Sequence, residues 1–209
     1  MDVQLIGVTH VVGGQGGPQE LLEHAGRVCY RSAARGKAER FLRSRIAEGH
    51  ESIIEHASLT FEISGISRAC SHQLVRHRLA SYSQESQRYV EMSDAQWVVP
   101  PRVAADSAAM VIWEAAIADV QRAYRDLRDL GIPREDARYL LPNATQTRLV
   151  VTMNFRELRH VFRLRISRQA QWEIRDLALA MLRLAYDVAP GVFSDIWEDL
   201  NAQYPEWFA

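Results

Sequence analysis

The chain is short of cysteine, of lysine, of net charge and of long apolar runs, and each shortage excludes something. Cys29 and Cys70 are the only cysteines in 209 residues. They show no CxxC spacing, so no disulfide framework is available and a reducing compartment suits the pair. Each is expected to be a small buried hydrophobe rather than a nucleophile. The formal net charge of -1 argues against a dedicated nucleic-acid binder, which carries a decided basic excess to meet phosphates. The apolar stretch after Leu177 is interrupted by Arg183, and the first twelve residues lack the basic start and cleavage site of a signal peptide. Neither a membrane span nor a leader is expected, and the protein reads as cytoplasmic. No repeat or low-complexity linker divides the chain, so a single domain over 1–209 is expected, and 47% hydrophobic residues suffice for a core.

What is present is arginine. Lys37 is the only lysine among 25 basic residues, so 24 are arginine, three of them in 76–88 and five in 156–168. The guanidinium is a rigid fork for phosphate or carboxylate. Arg76, His77 and Arg78 stand in succession. Gln84, Ser86 and Arg88 alternate, and would share one face if 85–91 is extended, as Tyr89 and Val90 favour. This density suits a nucleotide cradle, although a phosphate loop, an RNA patch and a buried ion network are also open to it.

The periodicities predict strands over 3–12, 57–64 and 147–153. Helices are expected from Pro18 to about Arg31, over 38–48, 67–76, 154–165 and 170–188, and in a short piece between Pro133 and Pro142. Met110, Trp113, Ile117, Val120, Tyr124, Leu127 and Leu130 form one stripe of a long helix stopped at Gly131. After a break at Pro190 and Gly191, Ser194 is expected to cap a last helical turn. The irregular alternation points to an α+β domain with a mixed or antiparallel sheet flanked by helices.

Two tempting motifs fail. The glycines at 13, 14, 16 and 17 follow a strand, but Gln19 occupies the third dinucleotide-fold position and no acidic strand end follows, so a mobile turn rather than a Rossmann domain is read there. In HESIIEH, at 50–56, the histidines are spaced wrongly for HExxH, and a metal is not expected. Arg159, Arg163 and Arg168 read best as a solvated basic helix face paired with acids.

The segment RHRLASYSQESQR at 76–88 resembles the signature of the flavin-dependent thymidylate synthases. The stretches at 49–64, 137–154 and 154–175 resemble that family in order and spacing too. The resemblance implies the family's own fold, a methyltransferase forming dTMP from dUMP, methylenetetrahydrofolate as carbon donor, and NADPH as reductant acting through bound FAD. It also implies a homotetramer with active sites shared between subunits, and no nucleic-acid or membrane partner.

Carried over residue by residue, the resemblance implies flavin contacts at Ser52, Arg76, His77, Arg78, Gln84, Asn154, Phe155, Arg156 and His160. It implies dUMP contacts at Gln73, Leu74, Val75, Arg76, Gln84, Glu85, Ser86, Gln87, Arg88, Arg138 and Arg165. Ser86, Arg88 and the amides between them would hold the 5'-phosphate, and Arg165 would stabilise charge gathering on the uracil ring. Gln84, His160 and Gln169 depart from the residues frequent in the family, which bears on flavin affinity and pH optimum.

Overall fold

In a computed structural model that describes residues 1–14, 16–34 and 36–208, four strands form one sheet in the order β1-β2-β4-β3. They are β1 (Asp2–Val8), β2 (Ser58–Ser67), β3 (Ala80–Gln84) and β4 (Gln146–Asn154). Neighbouring strands run antiparallel. The Thr9 amide donates to the Ser58 carbonyl at the end of β1, while Phe155 and Arg68 at opposite ends of the β2/β4 pair reach Ala57 and Thr145. The helices are α1 (Pro18–Val28), α2 (Ala38–Ala47), α3 (Arg68–Leu74), α4 (Pro101–Ala104), α5 (Ser107–Asp129), α6 (Arg134–Ala137), α7 (Phe155–Arg165), α8 (Trp172–Val188) and α9 (Pro190–Gln203). The architecture is α+β, with the antiparallel alternative realised.

The chain divides into two compact units. The first comprises 1–63, 74–82 and 150–209, and the second 64–73 and 83–149. In the first, α1 packs on α2, α2 and α8 on α9, and α7 on α8. The core is built from Leu59, Phe61 and Ile63 of β2, Val151 and Met153 of β4, and Phe155, Leu158 and Phe162 of α7. Phe193 and Ile196 of α9 complete it. Burying each such side chain contributes about 1.5–3 kcal/mol. The Phe193 ring meets Phe155 and Phe162 edge-on at 5.3 and 5.8 Å. In the second unit, Met92, Ala95, Tyr124 and Ala137 form a smaller core with Trp97, Leu127, Ile132 and Leu141 against it.

The alternation of β2 holds from Leu59 to Ile63 and then slips at Gly65, whose φ of +70° admits only a residue without Cβ at low cost. Beyond it Ile66 and Ser67 are both buried. In α5, Asp106 caps the N-terminus by accepting from the Ala108 and Ala109 amides, and Gly131 at φ +80° ends the helix as expected. Only Tyr124 of its stripe is fully buried, and Leu130 lies outside the packed face at 79% exposure.

Several expectations are corrected. β1 ends at Val8, and the turn follows at Val12 and Gly13. Gln15, within the turn expected at 13–17, lies outside the described residues. Gln19 accepts a hydrogen bond from the Gly191 amide at 2.7 Å, joining α1 to the start of α9. Glu51–His56 form a 3-10 turn. Ser194 does not cap a helix; it is buried inside α9, which begins with Pro190 at its first turn, where a missing N–H is harmless. Cys70 is buried but Cys29 is exposed. Residues 85–91 are not extended: the strand is β3, and Ser86–Val90 form a turn in which the Tyr89 and Val90 amides donate to the Ser86 carbonyl.

Candidate active site

Within the first unit, the RHR cluster is split by the backbone rather than presented as one surface. The Tyr82 hydroxyl lies 2.8 and 2.9 Å from the carbonyls of Leu74 and His77, and the His77 amide donates to the Leu74 carbonyl. That closes a turn after α3. Burial pushes the Tyr82 phenol above its ordinary range, with the Glu157 charge adding to it, so it stays a neutral donor. The turn leaves Arg76 and Arg78 exposed and aims His77 inward, at 4% exposure.

The His77 ring meets three groups. Arg165, the last residue of α7, donates from Nε to His77 Nε2 at 3.0 Å. Because a guanidinium only donates, Nε2 must be unprotonated, and a neutral ring then carries its proton on Nδ1. Nδ1 faces the buried Glu157 carboxylate at 3.5 Å, and the His160 ring stands edge-on at 5.6 Å. Burial lowers the His77 pKa from 6.5 to about 4, helped by the charge of Arg165 and by His160. Thus Arg165 and His77, 88 positions apart, form one neutral-acceptor, cationic-donor pair.

The α7 helix delivers Phe155, Arg156 and His160 as well as Arg165. Asn154 caps it, accepting from the Glu157 amide at 2.9 Å, so its side-chain oxygen is engaged and its amide group points elsewhere. Asn154, Arg156, Glu157, His160 and Arg163, with Glu51, Glu55 and Leu79, line a cleft of about 630 Å³, inside the size range of small-molecule sites. Arg156 pairs with Glu55 and, at 3.8 Å, with Glu51. Ser52 is exposed on the 3-10 turn that carries both acids. The Phe155 ring is wholly buried and its amide donates to Ala57. Leu74 is likewise buried, whereas Val75 is exposed. Gln169 is exposed in the segment after α7.

Arg159 departs from the expected solvated face. It is 1% exposed, bonds Asp195 through both terminal nitrogens at 2.6 Å, donates to the Val192 carbonyl, and lies 3.5 Å from Glu51. Burial by itself would raise the Asp195 carboxyl, but the hydrogen bonds and charge of Arg159 outweigh it and hold the group below its ordinary value. Arg163 and Arg168 are exposed and paired with acids as expected.

The second unit holds a separate polar group. Gln84 Nε2 donates to Ser71 and Thr147 at 3.0 and 3.2 Å. In the turn that follows, the Arg88 amide donates to Ser86 Oγ at 3.3 Å, and Arg88 Nε to the Glu135 carboxylate at 3.1 Å. Arg138 Nε donates to the Glu135 carbonyl at 3.2 Å. Gln87 and Glu85 are half-buried, and Gln73 Nε2 reaches the Ala69 carbonyl at 3.4 Å. Arg68 was not singled out from sequence. Burial and the charge of Arg138 lower its pKa, while Glu85 opposes that shift. Glu157 was missed too, although N-x-x-E at 154–157 is a helix-start signal that could have found it.

Comparison with known proteins covers nearly the same span. Residues 10–191 match the family model described as thymidylate synthase complementing protein. A flavin-dependent thymidylate synthase of Geobacter sulfurreducens is 49% identical over 189 residues, covering 85% of this chain and 82% of that protein. One from Nitratidesulfovibrio vulgaris is 44% identical over 199 residues, covering 85% and 81%. One from Clostridium tetani is 39% identical over 201 residues, covering 84% and 81%. With a family model spanning most of its length and such relatives aligned over more than four-fifths of theirs, this chain belongs to the flavin-dependent thymidylate synthase family.

Proposed function

We propose that the protein is a cytoplasmic thymidylate synthase that methylates dUMP reductively to dTMP, with methylenetetrahydrofolate as carbon donor and NADPH as reductant through FAD. Residues 1–209 would act as one catalytic domain. The observation that carries this reading is the hydrogen-bonded pair Arg165 and His77 beside a cleft lined by Asn154, Arg156 and His160.

The donor set suits a flavin dinucleotide. Arg76 and Arg78 are exposed and hold no ion pair among the described residues, as a diphosphate would require. Arg156, Asn154 and His160 offer further donors along the cleft, and Ser52 stands on the turn bearing its acids. The Phe155 and Leu74 side chains are core residues, which leaves only their backbone atoms for a ligand. When bound, FAD supplies the hydride chemistry that no side chain can perform.

The chain's own residues bind and polarise dUMP. Ser86, Arg88 and the amides between them would donate to the phosphate, with Gln73, Val75, Glu85, Gln87 and Arg138 as further contacts. Arg88 would exchange its half-exposed Glu135 partner for the phosphate at little cost, since such surface pairs are worth about 0–1 kcal/mol. Methylation at C5 needs an electron-rich uracil, with charge gathering on N3 and the adjacent carbonyl oxygens. Arg165 stabilises that charge, and the neutral His77 acceptor fixes the Nε edge of its guanidinium beforehand, so little reorganisation remains at the chemical step. No cysteine is required. The exposed apolar residues Val111 and Ile112 on α5 and Tyr139 after α6 support a homotetramer whose active sites are completed by neighbouring subunits.

The test is dUMP-dependent NADPH oxidation and dTMP formation by purified protein in the presence of methylenetetrahydrofolate, with the visible flavin spectrum recorded alongside. Yellow protein and dUMP-dependent turnover are expected. A colourless protein that takes up no added FAD overturns the reading.

A further inference from the structure

The Ser86–Val90 turn contains little that would hold its own shape. Its internal bonds are the two amides on the Ser86 carbonyl and the Arg88 amide on Ser86 Oγ. Arg88, Tyr89 and Val90 are exposed, so no core side chain anchors it. Apart from the half-exposed pair of Arg88 with Glu135, its conformation therefore depends on how residues 85 and 91 are held. At the upstream end, the Glu85 amide donates to the Arg148 carbonyl at 2.9 Å.

The downstream end is held by a carboxylate. Glu91 Oε1 accepts from the Met92 amide at 3.1 Å and from the Ser93 hydroxyl at 3.0 Å. Its Oε2 accepts from Arg128 of α5 and Arg134 of α6, each at 3.1 Å through Nε. Residues one turn apart on α5 extend the grip: Gln121 and Arg125 both donate to the Ser93 carbonyl at 3.0 Å, and the buried Tyr124 hydroxyl accepts from the Met92 amide at 3.3 Å. Arg125 also bonds Asp94 at 2.7 Å. Burial would raise the Glu91 carboxyl, but its hydrogen bonds from Ser93, Arg128, Tyr124 and Arg134 bring it down to about 2, so it is charged throughout the working range.

We propose that Glu91 is a positioning residue for substrate binding: by clamping the chain after the turn to Arg128 and Arg134, it preorganises the Ser86–Arg88 donors for the dUMP phosphate. This rests on the reading of that turn as the phosphate site. Glu91 touches no substrate in this account. The proposal predicts a sign opposite to simple electrostatics. Removing a negative charge near an anion site should by Coulomb's law tighten the anion, whereas losing the clamp disorders the donors and weakens it.

The experiment compares wild type, Glu91→Gln and Ser86→Ala as purified flavoproteins, titrating dUMP and deoxyuridine by the flavin spectrum and measuring KM and kcat. Glu91→Gln should weaken dUMP about tenfold, the scale of one charged hydrogen bond, raise its KM to match, and keep kcat at saturation. Deoxyuridine, which lacks the phosphate, should bind unchanged. Tyr124→Phe removes only the hydroxyl and should shift the dUMP to deoxyuridine ratio in the same direction; it carries the test if Glu91→Gln does not fold. Unchanged or tighter dUMP binding in Glu91→Gln, or an equal loss for deoxyuridine, overturns the proposal while Ser86→Ala still weakens dUMP. If Ser86→Ala leaves dUMP binding unchanged, the phosphate-site reading itself falls.

Discussion

Replacing His77 by Gln tests whether a neutral imidazole is built into this fold. His77 is 4% exposed and its pKa lies at about 4 against 6.5 in a model peptide. Between those values the unfolded chain binds a proton that the folded protein refuses, so stability must fall as pH drops through the window. The full displacement corresponds to about 3 kcal/mol, of which about 2 kcal/mol is lost by pH 5. Gln retains an acceptor for Arg165 but cannot titrate, so its variant should lack this component. Urea unfolding at pH 7, 6, 5 and 4.5 measures it, and subtracting the variant's profile removes the carboxylates common to both proteins. Asp195, whose pKa is depressed, contributes stability that is lost only at more acidic pH. Parallel pH profiles for wild type and His77→Gln would show that His77 takes up its proton in the fold as readily as in the unfolded chain, and that the donor–acceptor assignment with Arg165 is wrong.

Arg165→Ala should lower kcat by about a hundredfold or more, the cost of losing a donor aimed at developing charge, while purified protein keeps its flavin absorbance; equal loss of flavin would mean the side chain serves the cofactor. Arg88→Ala should weaken dUMP binding with little change in melting temperature, since its Glu135 pair is half-exposed; unchanged dUMP affinity in a titration would refute its role. Asp195→Ala leaves Arg159 buried without its bidentate partner and should cost about 3–5 kcal/mol in urea unfolding. Phe193→Ala opens a hole between Phe155 and Phe162 and should cost a comparable 3–5 kcal/mol, read as a lowered Tm with ligand preferences unchanged.

Local pattern carried much of the fold. The stripe of α5 with its stop at Gly131, the alternation in β2 and β4, and the start of α7 at Asn154 all depend on neighbours within a few positions, so they are legible in one dimension. The Ser86–Val90 segment was not. Tyr89 and Val90 favour strands, but Glu91 and Met92 are tied to α5 and α6, and tertiary anchoring overrides a weak propensity. Ser194 misled for a similar reason: Pro190 starts α9 four residues earlier, and the hydroxyl is buried inside the helix.

Sequence alone determined where the arginines stand and, through the motifs around them, which family the chain belongs to, because residue identity and spacing are properties of the chain. Only tertiary structure decided what each charge does. Arg159 and Arg163 differ by one helical turn, yet one is buried on Asp195 and the other is exposed. His77, between two exposed arginines, turns inward to accept from Arg165 at the far end of α7. Burial and long-range pairing set protonation and orientation, and neither is encoded within the few neighbouring residues that a motif reads.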